Sequence, residues 1–146
     1  MTVDRARSVG TAPSRAARVV GALGRVRWLR RLGLHPVVAL PGYALVSALA
    51  LVWGAVLSGF RVERRGGVIV CAGLPRWAFG RGGTTLGAVY LTRDALSPSV
   101  LEHEAAHRAQ WRRYGLAMIP LYLAAGRDPL RNRFEIDAGL KSGGYV

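Results

Sequence analysis

The sequence predicts an α+β chain: an N-terminal transmembrane helix followed by a small domain with a short antiparallel sheet and about three helices. Three observations predict it. No charged side chain occurs between Arg31 and Arg61, and residues 41–60 give 20 mainly apolar positions, the length of a bilayer-spanning helix. Short β-branched and aromatic runs punctuated by glycine follow, between residues 61 and 92. After them, Ser97-Pro98 and Asp128-Pro129 each stand before a stretch of helical character.

Residues 1–31 hold eight arginines (5, 7, 15, 18, 25, 27, 30 and 31) against the single acid Asp4, and read as a basic N-terminal arm. The 146 residues together carry a formal net charge of +13, and 20 of the 21 basic residues are arginine. Such an arginine bias often reflects a GC-rich genome. The charge itself favours anionic surfaces, either lipid headgroups or nucleic acid. No nucleic-acid-binding motif accompanies it, so membrane lipid is the expected partner and no specific nucleic acid is. The single Cys71 excludes an internal disulfide framework and a multi-cysteine zinc finger. Without a paired base it reads as a small buried residue.

Residues 32–60 form the hydrophobic segment. A helix apolar on every face is hard to cover with an 86-residue domain, and the run exceeds a signal-peptide core. It is therefore expected to cross the cytoplasmic membrane once, with a buried core helix as the alternative. The flank 11–31 has six arginines and the flank 61–80 has four, a bias that points the N-terminus to the cytoplasm.

Residues 61–146 form the folded domain, with 13 basic and seven acidic residues. Residues 61–64, a Gly66-Gly67 turn and residues 68–71 predict a hairpin, and residues 84–91 (TTLGAVYL) a third strand. Ser97 caps a helix that has Pro98 at its first position and stops at Gly115. Residues 116–125 make a second, short apolar helix interrupted by Pro120. Asp128-Pro129 opens a third by the same logic, ending near Gly139. The stretch GRGGTT at residues 80–85 lacks the lysine and spacing of a phosphate loop and reads as a hairpin or cleft-rim loop.

Within the first of these helices stands His103-Glu104-Ala105-Ala106-His107. Positions i and i+4 of a helix lie one above the other, so two imidazoles there can grip one cation. Glu104 lies about 100° around the helix from His103, close enough to reach water at the metal without ligating it. That is the division of labour of a metal hydrolase: two ligands and a general base. Val100, Gln110, Trp111 and Tyr114 share the histidine arc, while Glu102, Arg108, Arg112 and Arg113 point elsewhere. The metal face is thus the semi-buried one, and Gln110 and the Trp111 indole are candidates to fix the ligands from behind.

On these five residues the chain resembles the zincin metallopeptidases, over roughly residues 80–140. The resemblance implies a zincin-like domain with a zinc ion (Zn2+) as cofactor. It also implies a strand before the motif helix, here residues 84–91, whose backbone can pair with a peptide or unfolded protein segment as substrate. The metzincin extension is missing, because Gln110 and Arg113 stand where its glycine and last histidine would be. The chain is more similar to gluzincins, whose third ligand is a glutamate on a later helix. Glu135, 28 residues after His107, matches that position, with Asp137 in reserve. The acidic residue that gluzincins usually carry four positions later is replaced by Gly139. A surface ion pair with Arg131 is the alternative use of Glu135. His35 precedes the apolar run, away from the site.

The expected function is therefore a small membrane-anchored zinc metallopeptidase. His103, His107 and Glu135 hold the ion, Glu104 is the general base, and Tyr114, Tyr122, Tyr145 or an arginine supplies a donor to the tetrahedral oxygen. The alternative is a non-catalytic membrane-tethered protein that keeps a structural or regulatory metal site on the same scaffold. Glu104 discriminates between them, since a structural site closes all four positions with protein ligands and needs no base.

Overall fold

The computed structural model describes residues 31, 35–79 and 82–146, so the expected basic arm lies outside the described residues except for Arg31. Helix α1 spans Pro36–Leu57. His35 caps it: its Nδ1 accepts from the Val37 N–H, and Pro36 takes the first position, where no N–H is required. The helix is long and apolar enough to cross a membrane, with a mean hydropathy of 1.9 in its most apolar window.

Four short strands follow. β1 (Val62–Arg65) and β2 (Val68–Cys71) form the expected hairpin around Gly66-Gly67. The segment 84–91, expected as one strand, is instead divided between two: β3 (Gly83–Leu86) and β4 (Val89–Thr92), joined by a two-residue turn. Gly87 makes the break. It adopts φ +63 while Ala88 does not turn positive, the arrangement of a type II′ hairpin. A side chain at 87 would also stand 2.8 Å from the Ser47 nitrogen on α1. The Ser47 hydroxyl oxygen accepts the Ala88 N–H at 2.8 Å, which ties the turn to that helix.

The strand order is β1-β2-β4-β3, and β2 and β4 run parallel. The expected antiparallel sheet is thereby corrected to a mixed one. After β2 the chain passes to the far edge, lays down β3, and only then turns back between β3 and β2. That path, β3 included, supplies the length that a parallel pair requires.

Alternation of side chains assigns the two faces of the sheet. Cys71, Val89 and Leu91 pack with Ala50 of α1 and with Leu74. Val68, Val70 and Tyr90 pack on the opposite side with Leu101 of α2 (Pro98–Tyr114). The two central strands are covered on both sides, and α1 is one layer of the fold. Small residues (Ala39, Gly42, Ala50 and Gly54) make its inner stripe, while Val37, Leu45, Leu49, Val52, Trp53 and Val56 are exposed on its outer side.

Helix α2 carries the expected Ser97 cap, which accepts from the Val100 N–H, and it ends at Gly115. Gly115 has φ +53 and lies so close to α1 that an added Cβ would sit 2.7 Å from Ala39 Cα. A 3-10 turn, Gly115–Ala117, leads into α3 (Met118–Ala125). The last helix, α4 (Arg133–Ala138), starts later than expected. Asp128 closes a turn instead, accepting from the Leu130 N–H. Asn132 is the cap, with Oδ1 accepting the Phe134 N–H at 3.0 Å. Asn132 is buried and also donates to the Gly126 carbonyl at 2.8 Å, a tie that the exposed Asp128 does not make.

Candidate metal centre

Trp111, Met118, Leu121 and Phe134 form a core cluster that holds α4 against α2. That packing brings Glu135 to the motif histidines. His103 Nε2 lies 3.0 Å from His107 Nε2 and 3.2 Å from Glu135 Oε2, and His107 Nε2 lies 3.5 Å from the same oxygen. All three residues are buried, and together they could hold a metal ion. Asp137 is exposed and takes no part, and Arg131 pairs with Asp128 rather than with Glu135.

The far side of each ring decides where its hydrogen sits. His103 Nδ1 is 3.0 Å from the Gly139 carbonyl oxygen, which only accepts, so Nδ1 carries the hydrogen. His107 Nδ1 is 2.9 Å from Gln110 Oε1. The Gln110 amide is oriented by its NH2 group, which donates to the Phe134 carbonyl at 2.9 Å. His107 therefore also keeps its hydrogen on Nδ1. Both Nε2 atoms then turn lone pairs toward one carboxylate oxygen. Glu135 Oε2 is buried without a hydrogen-bond partner, while Oε1 accepts from the Tyr122 hydroxyl. Three buried acceptors at this spacing need positive charge between them, either a proton on an Nε2 or a cation.

The titration tendencies of the metal-free chain follow from that arrangement. Burial opposes a charge on His103, but the Glu135 carboxylate, the Glu104 charge and the Gly139 carbonyl outweigh it and raise its pKa. Burial also pushes Glu135 upward, yet the two imidazoles and the Tyr122 hydroxyl hold its carboxyl well below the usual range. For Glu104 burial wins and raises the pKa, partly offset by the Thr85 hydroxyl, which donates to Oε2 at 2.8 Å.

Thr85 was not singled out by sequence, although it occupies an inward position of an expected strand. Its hydroxyl holds Glu104, and its carbonyl accepts the Trp111 indole N–H at 2.8 Å. Trp111 thus fastens β3 to α2, whereas Gln110 stands behind a ligand. The Gly139 carbonyl was equally invisible, because a backbone acceptor leaves no mark in residue type.

A cavity of about 260 Å³ opens on the cluster, walled by β3, Met118, Ile119, Tyr122, Leu123 and Tyr145. Burial and the Glu135 carboxylate push the Tyr145 phenol up to about 12. Tyr114 packs edge-on against Phe134 instead. Compared with known proteins, the chain matches no family model, no curated protein and no solved structure. Its site is read from its own chemistry.

Proposed function

We propose that this chain is a small membrane-anchored zinc-dependent metallopeptidase that hydrolyses peptide bonds. The observation that carries the reading is the convergence of three bare acceptor atoms beside a buried carboxylate at the floor of an open cavity. A tetrahedron with zinc–ligand bonds of roughly 2.0–2.1 Å has edges of about 3.3 Å. The separations of 3.0, 3.2 and 3.5 Å bracket that edge. His103, His107 and Glu135 would hold the ion, and three protein ligands leave the fourth position free, as in catalytic rather than structural zinc sites. The arrangement is what the zincin resemblance implies, with Glu135 in the gluzincin position.

A bound zinc ion supplies Lewis acidity toward water and the scissile carbonyl. The chain's own groups do the rest. Glu104 takes the proton of the attacking water and returns it to the leaving amine, and Thr85 aims its carboxylate. Tyr122 donates to Glu135, and Tyr145, which lines the cavity and packs against His103, is the tyrosine assigned to donate to the oxygen that gains charge. Met118, Ile119 and Leu123 offer an apolar wall to a side chain of an extended or unfolded peptide segment. A purely structural metal site would leave Glu104 and the cavity without a role.

The test compares wild type with Glu104→Gln and His103→Ala on a denatured protein substrate. Glu104→Gln is expected to keep zinc and lose hydrolysis, and His103→Ala to lose both. Hydrolysis by Glu104→Gln at the wild-type rate would overturn the reading.

A further inference from the structure

We propose that α1 lies in the plane of an anionic bilayer, its outer face among the acyl chains, rather than crossing it, and that this seats the rim of the metal cavity at the lipid surface. The first argument is packing. Ala39 meets Gly115, Gly42 meets Leu116, Ser47 meets the Gly87-Ala88 turn, and Gly54 meets Leu91 and Cys71. From residue 39 to residue 54 the helix rises about 22 Å. A crossing helix would carry the sheet and α2 with it into a hydrocarbon layer about 30 Å thick. The exposed, charged edge strand β1 and Arg108, whose guanidinium donates to the Tyr43 hydroxyl at 3.0 Å, would go with them. Open strand edges and lipid-facing charges are not tolerated at that depth.

The second argument is the division of α1 itself. Small residues face the sheet and the Gly115-Leu116 turn, and large apolar ones face outward with no charge among them. At its C-terminal end, exposed Phe60 stands beside Arg61, with Arg64 and Arg65 on the next strand. Aromatic rings and arginines are the residues that meet headgroups. The net charge of +13 selects the occupant: two copies of this chain repel, whereas an anionic lipid surface attracts.

The third argument concerns the cavity. Leu116, Ile119 and Leu123 are exposed at helical spacing, from the side of Gly42 to the cavity wall, which includes Ile119 and Leu123. The mouth therefore shares the apolar surface of α1. If the hydrolase reading holds, the favoured substrates are apolar peptide segments lying on the lipid.

The full chain, freed of detergent, is added to preformed vesicles of phosphatidylcholine with or without phosphatidylglycerol. Binding to the anionic vesicles is expected to be at least about tenfold tighter and to weaken with salt. Leu49→Glu with Val52→Glu should reduce binding at least about tenfold, with the circular dichroism unchanged. In a Cys71→Ala background, Arg31→Cys and Arg61→Cys should both react with an impermeant maleimide on sealed vesicles. A fluorophore on Ile119→Cys should be quenched by lipids brominated in their acyl chains. Protection of one end would show a crossing helix and overturn the proposal. So would a dimer that ignores vesicles, or an unquenched Ile119 label. None of these readouts needs metal or hydrolysis, so their failure and that of the proposed function are separable.

Discussion

Gln110 fixes the hydrogen of His107 from behind, so its replacement probes the three-acceptor arrangement without touching a ligand. Gln110→Leu removes the acceptor 2.9 Å from His107 Nδ1 and the donor 2.9 Å from the Phe134 carbonyl. The ring hydrogen is then free to move to Nε2, the atom that must stay bare. Loss of such an outer partner costs about 10–100-fold in metal affinity, or roughly 1.4–2.7 kcal/mol. The lost bond to Phe134 should lower the stability of the metal-free protein by about 0.5–1.5 kcal/mol. Gln110→Glu separates the two effects. Its carboxylate still accepts from Nδ1, more strongly when charged, but cannot donate to Phe134. That variant should bind zinc at least as tightly as wild type and share the loss of stability. Zinc titration against a chromophoric chelator, with thermal denaturation in parallel, measures both. Zinc affinity of Gln110→Leu within about twofold of wild type, or a tenfold loss in Gln110→Glu, would refute the tautomer argument.

Three further outcomes are expected. Glu104→Gln should lower hydrolysis by about 10²–10⁴-fold, read from peptide cleavage rates, with zinc content unchanged. Gly54→Ala places a Cβ 2.9 Å from Cys71 Sγ in the sheet core and should cost about 1–3 kcal/mol in denaturant unfolding. An α1 that served only as a detached anchor would show no such loss. The metal-free protein should be most stable between about pH 4.5 and 6.5, the ordinary values of Glu135 and His103, and toward the lower end of that window, because the raised Glu104 pKa contributes stability that is lost as pH climbs above about 4.5. The raised His103 pKa contributes stability that is fully present below its unfolded value and lost as pH rises through the folded one. The lowered Glu135 pKa contributes stability present above its unfolded value and lost as pH falls through the folded one. Thermal melts of chelator-treated protein across pH check this, and a flat profile would contradict it. Zinc binding should weaken as pH falls through the raised His103 pKa, because protons compete there for the imidazole lone pairs.

The parts legible in the sequence are those written in residue type at fixed spacing. The Ser97-Pro98 start, the Gly115 stop and the i, i+4 histidines need no tertiary context, and α2 carries them. Glu135 was reachable only through the gluzincin resemblance, which implies a glutamate ligand on a later helix. What stayed hidden depends on how segments meet. Gly87 divides a β-rich run into two strands because Ser47 of a distant helix sits under the turn. Asn132 outcompetes the Asp128-Pro129 signal because it alone reaches the Gly126 carbonyl from a buried position. The apolar run reads as a membrane segment from composition, yet its inner stripe becomes meaningful only once Gly115 and Leu116 lie against Ala39 and Gly42, and the sheet against Ala50 and Gly54.

Elemental analysis of the purified, zinc-supplemented chain tests the central claim most directly, because His103, His107 and Glu135 converge on a place for a cation. One tightly held zinc ion per wild-type chain is expected, retained in Glu104→Gln and lost in His103→Ala. A wild-type chain that holds no metal, or a His103→Ala chain that holds as much as wild type, would contradict it.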